Sequence, residues 1–348
     1  MRKLNIIISG FGTVGRSFVK LLVNKKDKLI DRYGIDINVI GITDSRGGVL
    51  KTEGFKEREL LELLKVPRGS VCQFKPYGSP GYTTVNMLED LSPDVLIEVT
   101  PSNYINGMPG IEHVRRAINL GVHIVLSNKA PLALSFSEIM KSAVKRGVQI
   151  KYKATVMAGT PLIDLLIHGL NVQEVYEIRG ILNGTTNFIL SLMHSKGLDF
   201  KEALRVAQKK GIAEANPTLD IEGWDPAAKL AIIVNTLLGI NSNYTVYNVE
   251  RKPLWPYVEE AMKKLDKKKA VLKYIAVAKI ENEEAKVLRV EPKVIPLQDP
   301  LASVNDTYNG VVMHIEPKNE IFIKGKGAGG PETALVLLSD ILEIALST

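Results

Sequence analysis

An α/β fold whose first half is a mostly parallel, doubly wound sheet, followed by a second α/β region, is what this sequence predicts. Three observations point there. Short β-rich runs alternate with helical stretches through roughly the first 150 residues, the pattern of strands that need crossover helices. A glycine-rich turn, Gly10-Phe11-Gly12-Thr13-Val14-Gly15, joins the first β-run to the first helix. Near residue 150 the texture changes to small and hydroxyl residues, and later to long alternating runs such as AVLKYIAVAKI and AKVLRVEPKVI.

Taken in order, residues 4–9 are expected as a strand and Thr13 to about Val23 as a helix. A β-branched run from Ile37 to Thr43 ends at Asp44, and another from Val95 to Thr100 ends in a turn at Pro101-Ser102-Asn103. Residues 111–120 carry helical spacing, and Val122 to Leu126 is expected as a strand closed by Ser127-Asn128-Lys129-Ala130-Pro131. A helix over about 136–146 and a strand over Val148 to Tyr152 complete a first domain, residues 1–150. Helices are expected over about 186–196 and 199–210, and antiparallel strands over 268–294. Residues 320–324, a glycine cluster and a C-terminal helix over about 331–346 finish the chain. The second domain is thus 151–324, with about 325–348 returning to complete the first.

The glycine turn carries the first chemistry. Gly10 permits a tight turn after the strand, Gly12 lets backbone approach a pyrophosphate, and Gly15 lets helix and sheet pack closely. A phosphate would sit at the positive end of the following helix, with Phe11, Thr13 and Val14 completing the loop around it. This is a Rossmann-type dinucleotide fingerprint in its proper setting, after a strand and opening a helix. The second strand should end near the adenosine ribose. There Asp44 suits the ribose hydroxyls of NAD, whereas Arg46, with Lys51 close behind, suits the 2′-phosphate of NADP. Both readings stay open, with two cations favouring NADP; a plain turn over residues 44–48 is the bland alternative. The cluster Gly325-Lys326-Gly327-Ala328-Gly329-Gly330 reads as a second phosphate loop, or as a glycine-rich helix entry.

Composition narrows the field. The 348 residues are 45% hydrophobic with mean hydropathy near zero, ample for a real core. No apolar run reaches the roughly 18 residues that a membrane span needs. Cys72 is the only cysteine, which rules out an internal disulfide and a cysteine-based zinc site and favours a cytoplasmic address. The five histidines are scattered without ligand spacing, which argues against a catalytic zinc and against a histidine-based dehydrogenase. A net charge of +7 permits a nucleic-acid partner. The densest basic run, Lys263 to Lys269, lacks interleaved aromatics, so neither nucleic acid nor membrane is expected.

The most distinctive stretch is GIAEANPTLDIEGWDPAAK, Gly211 to Lys229. Glu214, Asp220, Glu222 and Asp225 precede a single lysine, Lys229, that enters an apolar helix. Such a lysine is either a buried structural ion pair or a proton-transferring group. Asp225 followed by Pro226 also has the pattern of a helix N-cap with proline at the first helical position.

These blocks together resemble homoserine dehydrogenase. GFGTVGR, SNKAPLAL, LNGTTNFIL, the 211–229 stretch, DPLASVNDTYNGV and GKGAGG follow one another in that family's order, from about residue 4 to 345. The resemblance implies the short, monofunctional form, a second domain for substrate and dimerisation, and a homodimer. It implies reversible oxidation of L-homoserine to L-aspartate 4-semialdehyde with NAD(P), within threonine and methionine biosynthesis. By the same resemblance Lys229 is the proton-transferring lysine, Lys129 the second lysine at the reacting oxygen, and Asp225 their neighbour one helical turn before Lys229. Glu214 and Asp220 resemble the carboxylates that hold substrate. Thr185 lies in the block lining the substrate pocket, and Thr100 begins the turn beside the nicotinamide. One position departs from the pattern. Many members carry a glutamate where Lys153 stands, opening a loop whose carbonyls hold a monovalent metal ion. A lysine ammonium can take that ion's charge, which argues against a bound metal, with carbonyls of Val156, Ala158 and Thr160 as the remaining oxygens. The competing readings are another amino-acid or sugar dehydrogenase, and a catalytically silent dinucleotide-sensing module.

Overall fold

A computed structural model describes residues 1–170 and 172–347. The chain divides into two units, Met1–Thr155 with Gly329–Thr348, and Val156–Ala328.

The first unit is a seven-stranded sheet. Its strands are β1 (Arg2–Ser9), β2 (Ile35–Asp44), β3 (Gly47–Leu50), β4 (Gly78–Pro80), β5 (Val95–Glu98), β6 (His123–Leu126) and β7 (Ile150–Lys151), in the order β4-β3-β2-β1-β5-β6-β7. β1 pairs in parallel with β2 on one side and β5 on the other, and β5, β6 and β7 continue in parallel. Ile6, Ile7, Ile8 and Ser9 are all buried, as a central parallel strand covered on both faces requires. The order reverses between β1 and β5, and ligands of open α/β sheets bind at the carboxyl ends of strands at such a switch.

Helix α1 (Thr13–Tyr33) runs ten residues past the expected Val23, because its polar lysine-rich second half still turns Leu29 inward. It ends at Gly34 in the left-handed conformation. After α2 (Glu57–Leu63) and α3 (Thr84–Leu91) come α4 (Gly110–Leu120) and α5 (Ala130–Arg146); α5 starts six residues before the expected 136. The C-terminal helix, Gly330–Ser347, packs on α1 and sends Leu337, Ile341 and Ile344 into the same core as Phe18, Val19 and Leu22.

The second unit opens with a short helix, α6 (Leu162–Asp164), continued as a π-turn over Leu165–Gly169. A six-stranded sheet follows, in the order β13-β12-β8-β10-β11-β9. The strands are β8 (Val175–Ile181), β9 (Glu250–Arg251), β10 (Ala270–Glu281), β11 (Glu284–Pro296), β12 (Tyr308–Ile315) and β13 (Asn319–Lys326). All its pairs are antiparallel except β9 with β11. Helices α7 (Gly184–Lys196), α8 (Phe200–Lys209), α9 (Thr218–Ile221), α10 (Trp224–Leu238) and α11 (Tyr257–Lys264) complete it. Every residue of α10 from Pro226 to Asn235 is buried, Lys229 included, which is why that stretch reads as apolar all round. No helix among the described residues is long and apolar enough to cross a membrane.

Candidate active site

At the carboxyl end of β1 the glycine loop has the geometry its spacing suggests. A Cβ on Gly10, whose φ is +104°, would stand 2.8 Å from the Val99 carbonyl oxygen, and one on Gly15 only 2.2 Å from that of Gly10. Any side chain at either place would force the loop off the sheet. Gly12, the residue before α1, faces open space with nothing within 4 Å. That combination, close packing at two glycines and an open third at a helix start, fits a pyrophosphate. Phe11 is buried under the Arg16 guanidinium, which lies 4.6 Å from its ring centre, and Val14 packs against the core. Gly330 approaches Ser17 and Thr13 so closely that a Cβ would meet the Ser17 hydroxyl oxygen at 2.5 Å, so the last glycine of the second cluster packs on the helix that follows the first. Gly327 lies in the other unit, against the Asn309 amide.

The end of β2 is a tight hairpin into β3, with Asp44 paired to Gly47. The Asp44 carboxylate accepts the Arg46 backbone N–H at 3.0 Å and that of Val71 at 2.8 Å, so both its oxygens are engaged in holding the turn. Arg46 is exposed. Lys51 does not join it as a second cation. Its ammonium donates to both oxygens of Glu59 at 2.8 Å, lies 5.0 Å from the ring centre of Tyr77, and is held protonated by that carboxylate. A different cation comes to the loop instead. Arg68 donates to the Thr13 hydroxyl at 2.9 Å; burial, with the Arg68 charge adding to it and Asp44 opposing, lowers the pKa of Arg16. Only the folded loop between α2 and β4 brings residue 68 to residue 13, so spacing could not have shown this.

In the second unit the carboxylates and lysine of the 211–229 stretch gather around one amide. Asn183, two residues past β8, caps α7: its Oδ1 accepts the Thr186 N–H at 2.9 Å. Its Nδ2 donates to Asp220 at 2.7 Å and to Asp225 at 2.9 Å, bridging the two acids. Lys229 donates to Asp225 at 2.8 Å and to the Leu182 carbonyl at 2.7 Å. Burial and the neighbouring Asp225 charge push the Asp220 carboxyl up to about 6, opposed by Asn183, Lys229 and the Thr185 hydroxyl. Thr185 itself donates to the Ile212 carbonyl at 3.2 Å.

Two expectations, those for Asp225 and Lys51, need correction. Asp225 is not a helix cap: the residue preceding α10 is Gly223, in the left-handed conformation, and the Asp225 side chain turns inward to Asn183 and Lys229. Glu214 is exposed, and none of the hydrogen bonds that build the cluster includes it. Lys51 belongs to an ion pair, as described. Asn183 was passed over, although asparagine before Gly-Thr-Thr is an N-cap signal. In the first unit, Lys129 is half-buried immediately before α5 and donates its backbone N–H to Ser102 Oγ at 3.0 Å. Thr100 donates both backbone N–H and hydroxyl to the buried Glu98. Lys153 is paired with two acids of the C-terminal helix, Asp340 at 3.2 Å and Glu343 at 2.8 Å, so its charge has a structural use. Val156 and Ala158 are buried, and the Thr160 carbonyl accepts the Leu162 N–H at 2.8 Å. Among the described residues no three His, Cys, Asp or Glu side chains cluster as a metal site.

Comparison with known proteins bears on all of this. The family model described as homoserine dehydrogenase matches residues 161–342, and that described as homoserine dehydrogenase, NAD binding domain, matches residues 10–153. The chain is 37% identical to a homoserine dehydrogenase of Methanocaldococcus jannaschii, over 99% of each chain. A crystal structure of a putative homoserine dehydrogenase from Archaeoglobus fulgidus superposes with a TM-score of 0.83 at 32% identity, covering 98% of this chain and 99% of that one. A hyperthermophilic archaeal homoserine dehydrogenase in complex with NADPH also gives 0.83, at 28% identity, over 99% and 98% of the two chains.

Proposed function

Because this chain belongs to the homoserine dehydrogenase family, whose members are NAD(P)-dependent oxidoreductases, we propose that it interconverts L-homoserine and L-aspartate 4-semialdehyde through lysine-mediated proton transfer. The observation that carries the mechanism is the setting of Lys229: buried on α10, with two of its three ammonium donors taken by Asp225 and the Leu182 carbonyl. The third is left for a substrate oxygen. In oxidation the free amine keeps those two N–H bonds, turns its lone pair to the substrate and takes the hydroxyl proton while hydride leaves the same carbon; in reduction the ammonium returns that proton to the forming alkoxide. Bound NAD(P) supplies the hydride acceptor or donor. Lys129 is assigned the second contact to the reacting oxygen. Asp225 holds Lys229 in place, and Asp220, with Thr185 beside it, receives the substrate ammonium, which needs a carboxylate once it leaves water.

Gly10, Gly12 and Gly15 would hold the pyrophosphate, with Thr100 at the nicotinamide. We assign NADP as the preferred form. Asp44 is tied into the turn by a backbone N–H at each oxygen, whereas Arg46 is exposed and Arg68 reaches the start of α1. Residence in threonine and methionine biosynthesis, a homodimer and a cytoplasmic address belong to the same proposal and rest on the family likeness. The test is homoserine-dependent reduction of NADP+ and NAD+ measured side by side against a panel of other alcohols. The expected result is turnover with homoserine above every other alcohol, and a higher kcat/KM with NADP+. Cofactor binding without turnover of homoserine would instead mark a silent nucleotide-sensing module.

A further inference from the structure

The first unit buries one carboxylate that the roles above leave unused. Glu98 ends β5 with none of its surface exposed. Its Oε1 accepts the Thr100 N–H at 2.9 Å, the Thr100 hydroxyl, and Asn128 Nδ2 at 3.3 Å. Its backbone carbonyl accepts the N–H groups of Ser127 at 3.1 Å and Asn128 at 3.4 Å. Asn128 in turn donates to Thr100 Oγ1 at 3.0 Å and accepts the Ala130 N–H at 3.0 Å in the first turn of α5. One residue therefore ties together two loops, 99–102 after β5 and 127–130 after β6, which carry Thr100 and Lys129.

The other carboxylate oxygen leads away from those loops. Oε2 lies 2.6 Å from His113 Nδ1, which lies 3.1 Å from Ser9 Oγ. Ser9 meets Thr84 at 2.9 Å and Thr84 meets Thr43 at 2.7 Å, next to Asp44. The chain of buried polar groups thus crosses the carboxyl ends of β2, β1, β5 and β6 in turn. Burying a carboxylate is costly unless its oxygens are satisfied, and networks of this kind are rigid only when every member is present.

We propose that Glu98 is a positioning residue for the reaction: it fixes the spacing of Thr100 and Lys129, while the His113–Ser9–Thr84–Thr43 arm only anchors it to the sheet. The inference rests on the roles given above to Thr100 and Lys129. Three variants separate positioning from plain stability. Glu98→Leu removes the carboxylate bonds to Thr100 and Asn128 while the backbone bonds to Ser127 and Asn128 stay, Glu98→Gln keeps an acceptor oxygen, and Thr84→Val cuts the anchoring arm without touching either loop. Glu98→Leu is expected to lower kcat about 100-fold, as misplacement by about an ångström does, with cofactor Kd within about threefold. Its Thr100 N–H should exchange with deuterium at least about tenfold faster. Glu98→Gln should recover most of the turnover and the protection. Thr84→Val should lower Tm yet keep kcat within about twofold. If Glu98→Leu does not fold, Asn128→Ala removes the side-chain link between the two loops, its bonds to Glu98 and Thr100 Oγ1, and carries the same expectation for kcat and cofactor Kd.

Turnover that falls with Tm alike in Thr84→Val and Glu98→Leu, or a Glu98→Leu protein with unchanged exchange and kcat, overturns the proposal. Should the unmodified enzyme fail to oxidise homoserine, the proposed function fails. The exchange comparison still decides whether Glu98 holds the loops.

Discussion

Two lysines are buried in the second unit, and their surroundings differ in one respect that decides what each can do. Lys229 on α10 meets a carboxylate, Asp225, and one carbonyl, and keeps a donor in hand. Lys273 on β10 is less exposed still, and all three donors end on neutral oxygens: the Val304 carbonyl, Asn305 Oδ1 at 2.9 Å and Asn187 Oδ1 at 3.4 Å. Burial pulls the Lys273 pKa down to about 8, with Lys324 adding to the shift and Asp306 opposing it. The same Asn187 brings its amide nitrogen to the carbonyls of Val304, Asp306 and Tyr308 at 3.0–3.2 Å. Lys273 is a fastener for the segment from Val304 to Tyr308. A lysine with no donor left over has nothing to offer a substrate, however perturbed its pKa.

The comparison is broken most severely by removing each lysine in turn. Lys229→Ala is expected to cost about 10³-fold in kcat, the range for a lost acid–base group, with cofactor affinity retained in a fluorescence titration of NADPH. Lys273→Met, which keeps the stem and removes the charge, is expected to leave kcat within about threefold. Equal losses of turnover in the two variants would show that the pair cannot be sorted by spare donors.

Stability against pH sharpens the same contrast. The Lys273 pKa is lower in the folded chain than the ordinary lysine value of 10.5. Between about 8 and 10.5 the unfolded chain therefore binds the extra proton, and stability rises with pH. Below that window both states are protonated and the cost of the buried charge is constant. Relative to Lys273→Met, the unmodified protein should gain on the order of 2–3 kcal/mol between pH 7.5 and 10 in parallel urea titrations, about 1.4 kcal/mol per pKa unit. A flat difference would mean that the neutral oxygens hold the ammonium charged.

How far these features were legible in the sequence follows from their range. The glycine loop and the apolar α10 are local patterns, and both could be read: three glycines in six residues, and one lysine in an apolar helix. The second half of α1 could not, because its lysines hide the single inward Leu29. β8 and β12 were missed because Gly180 and Gly310 fall within them, and their place in the sheet comes from pairing with each other and with β10 and β13. Lys51 looked like a phosphate ligand because its partner Glu59 lies eight residues on, in a helix that was not anticipated. Asp225 looked like a cap because Asp-Pro commonly opens a helix; the backbone instead turns at Gly223, and Asn183, forty-two residues away, draws the acid inward. Glu98 and His113 carry no local signal at all, since their meaning is a contact between neighbouring elements.

The smallest expected effect concerns the acid beside Lys229 rather than the lysine itself. Asp220 is held by Asn183 at 2.7 Å, and its carboxyl is pushed up to about 6 by burial and by the Asp225 charge. If its ionised form receives the substrate ammonium, kcat/KM for homoserine should climb with pH through about 6. Asp220→Asn should lose that limb and raise KM about tenfold while kcat changes little, the signature of uniform binding. Folding responds in the opposite sense. Because the folded pKa lies above the ordinary 3.8, the folded chain binds the extra proton between about 4 and 6, and stability falls as pH rises through that window. The asparagine variant should lack this fall. The two pH responses run in opposite directions for one group, so an acid-limb loss of activity from unfolding cannot imitate them. An asparagine variant that kept both the limb and the KM would move the ammonium site away from Asp220, leaving Lys229 with a tether but no substrate-binding acid at its side.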